Sequence, residues 1–242
     1  VLGGAFGVGG KERINEAISH LSQSCANGDR AIDIVGFSRG AALALHFANT
    51  IAHRGILDPE TGKVTEPHPK IRFLGLWDVV AAFGIPIDIG IPFSRINLGY
   101  WLTLPGNVAH CFHALALDER RQAFRPTRTQ GGYQVWFRGV HSDIGGGNEN
   151  LALNNISLRW MLKKGLAVGL PIKQEALAEL DIAINPEAKI GRNFDPISNR
   201  PRDLRPDDRI HYTVSRRPGD GHNNPPANAP VEGPQDEAAR LS

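Results

Sequence analysis

Ile34-Val35-Gly36-Phe37-Ser38-Arg39-Gly40-Ala41-Ala42 is the stretch whose reading decides the fold. An apolar run turns on a serine set between glycines and continues into an alanine-rich segment. This is the G-x-S-x-G pattern of a nucleophile elbow, in which a serine in strained backbone conformation joins a buried strand to a helix. Side chains two residues to either side of the serine are expected to collide, so Gly36 and Gly40 read as steric requirements. The backbone N–H of Arg39 would then face an oxyanion formed by attack of Ser38 on a carbonyl. The competing reading is an ordinary strand-to-helix turn whose serine caps the helix.

The flanks fit the first reading. Residues 31–35 form a short apolar run of the length of a buried parallel strand. Residues 41–54 are helical in composition, with Leu43, Leu45, Phe47, Ala48 and Ile51 available for burial and Gly55 as a stop. Upstream, residues 11–26 read as an amphipathic helix ended by Asn27-Gly28-Asp29. The glycines before it (Gly3, Gly4, Gly7, Gly9, Gly10) do not make a phosphate loop. That pattern needs glycine where Ala5 stands and a hydroxyl where Glu12 stands.

Composition narrows the class. The chain has 242 residues, 41% of them hydrophobic, enough for a substantial core in one domain. A net charge of +2 does not call for a nucleic-acid partner. Cys25 and Cys111 are far apart and in no C-x-x-C arrangement, which argues against a disulfide framework or a cysteine-built metal site. No signal pattern and no bilayer-length apolar run is present, so the expectation is a soluble chain, cytoplasmic unless exported. The chain opens without an initiator methionine in what reads as an active-site loop, and is expected to be a fragment.

Two further strands are expected at residues 71–77, ending on Asp78, and 133–137, running into Arg138-Gly139-Val140-His141-Ser142-Asp143. Between them, residues 81–106 are apolar but broken by prolines. They read as a lid or acyl-binding insertion, or equally as an irregular loop covering the core. Residues 151–166 read as another amphipathic helix and 209–214 as a last short element. The hydrolase-like domain is thus expected over 1–215, and the Pro/Asn/Gly-rich residues 216–242 are expected to be a disordered tail.

Ser38, Asp78 and His141 follow the chain order serine, acid, histidine, each at the end of an apolar strand, where open α/β sheets place their sites. In such a triad Ser38 attacks, His141 carries the proton, and Asp78 fixes the imidazole. His211 is the alternative base, and Asp143 and Asp118 are alternative acids. Asp143, two residues from His141, reads better as a cap of the glycine loop. No metal or organic cofactor is called for.

Four blocks carry a family resemblance: Gly-Phe-Ser-Arg-Gly-Ala at 36–41, Leu-Trp-Asp-Val-Val at 76–80, Ala-Leu-Ala-Leu-Asp-Glu-Arg-Arg at 114–121, and Val-Trp-Phe-Arg-Gly-Val-His-Ser-Asp-Ile-Gly-Gly-Gly at 135–147. From about residue 2 to 170 the chain resembles the α/β hydrolase domain shared with type VI secretion phospholipase effectors. The resemblance implies an α/β-hydrolase-like, mostly parallel sheet flanked by helices, and a Ser38-Asp78-His141 hydrolase of carboxylic esters. Lipid acyl esters are the implied substrates, with peripheral membrane contact. It also implies a structural role for Asp118, Glu119 and Arg120. The family's first strand, ending in an Asp-Gly-Thr turn, is not matched, so an incomplete, catalytically silent binding or scaffold module is the alternative function.

Overall fold

A computed structural model describes residues 9–81, 100–148, 151–191, 199–217 and 223–238. In chain order the elements are α1 (Gly10–Ala26), β1 (Ile32–Phe37), α2 (Arg39–Arg54), β2 (Ile56–Leu57), β3 (Val64–Glu66), β4 (Ile71–Trp77), β5 (Val108–Ala116), β6 (Tyr133–Phe137), α3 (His141–Gly145), α4 (Asn154–Ala167), α5 (Gln174–Ala183), β7 (Arg209–His211) and β8 (Val231–Glu232). Six strands form one sheet in the order β1-β4-β5-β6-β7-β8, and β2 and β3 form an antiparallel hairpin. Pairing is parallel from β5 through β8. The expected α/β class, a mostly parallel sheet flanked by helices, is the observed one.

Contacts divide the chain into two compact units. One comprises residues 1–75, 79–111 and 127–132, the other 76–78, 112–126 and 133–242. In the first, Ile32, Ala48, Ile51, Ile56 and Ile71 form the core, with Leu21, Phe47 and Val108 packed at its edge. The alanine-rich sequence of α2 gives it high helix propensity and a small-residue face that lies close to β1. Gly55, at φ 72, ends it by donating its N–H to the Ile51 carbonyl at 2.9 Å. In the second unit Leu115, Leu117, Trp136, Ile210, Val214 and Ala229 share a core around β5 to β7.

Differences from the sequence reading concern the weaker signals. Strand β5 had no strand expectation, because His110 and His113 interrupt its apolar pattern, yet its last six residues are all buried. The expected tail is corrected in part. Val231–Glu232 adds β8 to the sheet, with Ile210 opposite Val231 and His211 opposite Glu232, and a 3-10 turn follows at Asp236–Ala238. Polar composition misled there because Glu232 and Glu237, both fully buried, are ion-pair partners, Glu232 of the buried Lys164 and Glu237 of the partly buried Lys163 and Arg159.

Of the expected lid, residues 82–99 lie outside the described residues, as do residues 1–8 of the glycine-rich opening. The described end of the segment packs on α2. Asn49 Nδ2 donates to the Thr103 carbonyl at 2.7 Å, and the Trp101 ring lies against His46 and His53.

Candidate active site

In the first unit, β1 ends at Phe37 and α2 starts at Arg39, leaving Ser38 as the single joint between them. Its backbone sits at φ 59, ψ −125, a conformation L-residues rarely adopt. A Cβ on Gly36 would lie 2.7 Å from Ala41 Cα and from the Gly40 carbonyl oxygen, so glycine is required there. Gly40 differs from expectation, since a Cβ there meets nothing within 4 Å. The crowding falls on the strand side of the serine, where the chain doubles back against the first turn of α2.

The Ser38 side chain makes no capping hydrogen bond to α2, so the capping role does not account for it. Its carbonyl instead accepts the N–H groups of Ala41 at 3.1 Å, Ala42 at 3.3 Å and Val80 at 3.3 Å. Val80 stands two residues beyond Asp78. Arg39 is the first residue of α2, where N–H groups lack partners within the helix.

In the second unit, Asp78 follows β4 at φ 43 and is fully buried. Every lone-pair direction of its carboxylate is used. Oδ1 accepts Ala116 N–H at 3.0 Å and Arg202 Nη1 at 2.6 Å, and Oδ2 accepts Arg202 Nη2 at 2.9 Å and His141 Nδ1 at 2.6 Å. Burial alone would raise this carboxyl. The Arg202 charge outweighs it, with hydrogen bonds from His141 and Arg202, and holds Asp78 well below the usual carboxylate range. Because the carboxylate is ionised, it fixes the proton on His141 Nδ1.

His141 is the first residue of α3 and is 5% exposed. Gly139, at φ 130, makes the turn that delivers it, and a Cβ there would meet Asp143 Cβ at 2.7 Å. Two carboxylates hold the same turn. Asp118 accepts Gly139 N–H at 2.7 Å and pairs with Arg138 at 2.8 Å. Glu119 accepts His141 N–H at 3.1 Å and pairs with Arg121 at 2.9 Å. Burial pushes Glu119 upward, but hydrogen bonds and charge from Arg121 prevail and bring it to about 2. The Phe124 ring meets His141 edge-on at 4.8 Å between centroids.

The alternatives take other roles. Asp143 accepts the N–H groups of Val140 and Gly191, each at 2.9 Å, and an amide hydrogen of Asn148, which makes it a brace for the glycine loop. Asp118 is engaged as described. His211 is fully buried, with Nδ1 on Thr213 at 2.7 Å and Nε2 on Glu237 at 2.8 Å. It ends β7, and both its nitrogens are committed to these partners. Cys111 is buried, and burial pushes its thiol up to about 12 against a hydrogen bond with Thr129, so it is no thiolate nucleophile. Among the described residues no group of three His, Cys, Asp or Glu side chains is placed to hold a metal ion, and no helix is long and apolar enough to cross a membrane.

Sequence reasoning missed Arg202. It lies 124 residues from Asp78, in an irregular segment between Pro201 and Pro206 with no motif around it.

An α/β sheet with a strained serine after one strand and an acid–histidine pair at the ends of two others sets the class of protein with which comparison is meaningful. Residues 59–164 match the model of a family described as T6SS, phospholipase effector Tle1-like, catalytic domain. That span holds three of the four resemblance blocks, with Asp78, Asp118, Glu119 and His141, so the resemblance to type VI secretion phospholipase effector domains stands; Ser38 precedes it. Among solved structures the chain is similar to a Tle1 effector bound to the VgrG spike of the type 6 secretion system, at 31% identity over 59% of this chain and 32% of that one, with a TM-score of 0.46. It is also similar to an uncharacterized protein from Pseudomonas aeruginosa, at 23% identity over 73% and 31% of the two chains, TM-score 0.46. The chain therefore spans about a third of the length of these solved relatives. No curated protein matches.

Proposed function

We propose that the chain is a serine hydrolase of carboxylic esters, acting on acyl esters of phospholipids, with Ser38, His141 and Asp78 as its triad. The observation that carries this reading is the Ser38 backbone at φ 59 between β1 and α2, with a side chain that does not cap the helix. Strain of roughly 1–3 kcal/mol at one serine calls for a role that an ordinary turn would not have. The match of residues 59–164 to a phospholipase effector catalytic domain supports the substrate class.

Ser38 Oγ attacks the ester carbonyl carbon and its proton passes to His141 Nε2, the nitrogen opposite the one engaged by Asp78. The carbonyl oxygen becomes an oxyanion, stabilised by the Arg39 N–H. Collapse expels the alcohol, which takes the proton from His141, and leaves Ser38 acylated. Water then repeats the sequence and releases the fatty acid.

A fluorophosphonate probe, which traps only an activated serine, tests the reading together with hydrolysis of phosphatidylcholine vesicles and of soluble acyl esters. Labelling that disappears in Ser38→Ala is expected, along with ester cleavage. Absence of both identifies a hydrolase-fold binding module. Labelling with soluble-ester but no vesicle cleavage keeps the hydrolase and removes the phospholipid assignment.

A further inference from the structure

We propose that Arg202 is a positioning residue for the Asp78–His141 pair, fixing the geometry in which the carboxylate meets the imidazole; this rests on the triad reading above. The Arg202 side chain is 4% exposed and its two terminal nitrogens make four contacts. Nη1 donates to Asp78 Oδ1 and the Ala116 carbonyl, each at 2.6 Å. Nη2 donates to Asp78 Oδ2 at 2.9 Å and the Phe124 carbonyl at 2.5 Å. One planar group thus ties the acid to the end of β5 and to the 3-10 turn at Gln122–Phe124. The ring of Phe124 in turn lies against His141, with the Arg121 guanidinium 3.6 Å from its centroid.

Two consequences follow from this fork. A carboxylate gripped at both oxygens cannot rotate, so Oδ2 stays aimed at His141 Nδ1. A lysine ammonium, a point charge, cannot reproduce the grip. The second consequence is electrostatic: the Arg202 charge keeps the fully buried Asp78 carboxyl ionised, so that it accepts the His141 Nδ1 hydrogen bond.

Further carboxylates hold the turn that carries His141. Glu119 takes the backbone N–H of His141 and pairs with Arg121, which lies over Phe124, and Asp143 braces Val140 and Gly191.

The test measures fluorophosphonate labelling rates and turnover of a soluble acyl ester from pH 5 to 9, each per reactive Ser38 so that loss of folded protein cancels. If the wild type shows no Ser38-dependent labelling, the triad reading itself has failed. Given such labelling, Arg202→Met is expected to lower the plateau kcat about tenfold or more with KM little changed. Arg202→Lys, which keeps the charge but not the two-pronged grip, is expected to lose about tenfold on the plateau kcat, again with KM little changed. Should the methionine variant not fold, the plateau of the lysine variant decides. A wild-type plateau per reactive serine in the folded variants would make Arg202 a structural ion pair and overturn the proposal.

Discussion

Gly36 and Gly40 look equivalent in the sequence but not in space. A methyl group on Gly36 runs into the backbone of Ala41 and Gly40, which no rotamer change relieves. Gly40 has open space and lies in the first turn of α2, where alanine is the better helix former. Gly36→Ala is accordingly expected to cost about 2 kcal/mol or more, and Gly40→Ala to be neutral or stabilising by up to about 1 kcal/mol. Urea unfolding of the two variants checks this, and equal losses would contradict the geometry. Local pattern singled out Ser38 and Asp78 because each directly follows an apolar strand, and His141 because it follows one by four residues. It could not single out Arg202, whose contact is with a residue 124 positions away and leaves no periodicity in its own neighbourhood.

Among the elements, β4, β6 and the long helices were legible because burial on two faces or one leaves a run or a 3.6-residue stripe; β1 was legible from its apolar run, although only Ile32 of it is buried and Val35 is exposed, where a buried strand was expected. β8 was not, since two residues among prolines carry no such mark. Its weight lies in what it neutralises. Lys164 of α4 is fully buried with Glu232 Oε1 at 2.8 Å, which also accepts Trp160 Nε1 at 3.0 Å, and Tyr133 donates to the other oxygen. Glu237 receives His211, Lys163 and Arg159. A chain ending at residue 222 leaves Lys164 buried without its carboxylate, a defect of about 3–5 kcal/mol. Thermal melting is expected to show that truncation strongly destabilised and a chain ending at residue 238 close to the parent. If both melt with the parent, residues 223–238 hold nothing, as their composition had suggested.

At the scale of the whole molecule the alternation of strands and helices, readable from the sequence, fixes the α/β class, while the response to acid is set by buried groups that composition does not expose. Burial pushes His211 down from 6.5 despite Glu237, so the unfolded chain takes up this proton at higher pH than the fold does. Stability therefore falls as pH drops below about 6.5. Glu119 and Glu237 are both at about 2 against 4.5. Burial works to raise each, but Arg121 holds the first down, and His211 and Lys163 hold the second. Their contribution is complete above about 4.5 and is lost as pH falls toward 2, with Asp78 titrating lower still. Both stages have the same sign, so they cannot cancel. The urea midpoint is expected to decline gently from pH 6.5 and steeply below 4.5, with the slope of each transition unchanged. Glu237→Gln cannot release a carboxylate proton, so its midpoint lies below the parent's at pH 7 and approaches it at pH 3. A midpoint constant from pH 7 to 3 would mean that these buried ion pairs do not hold the fold.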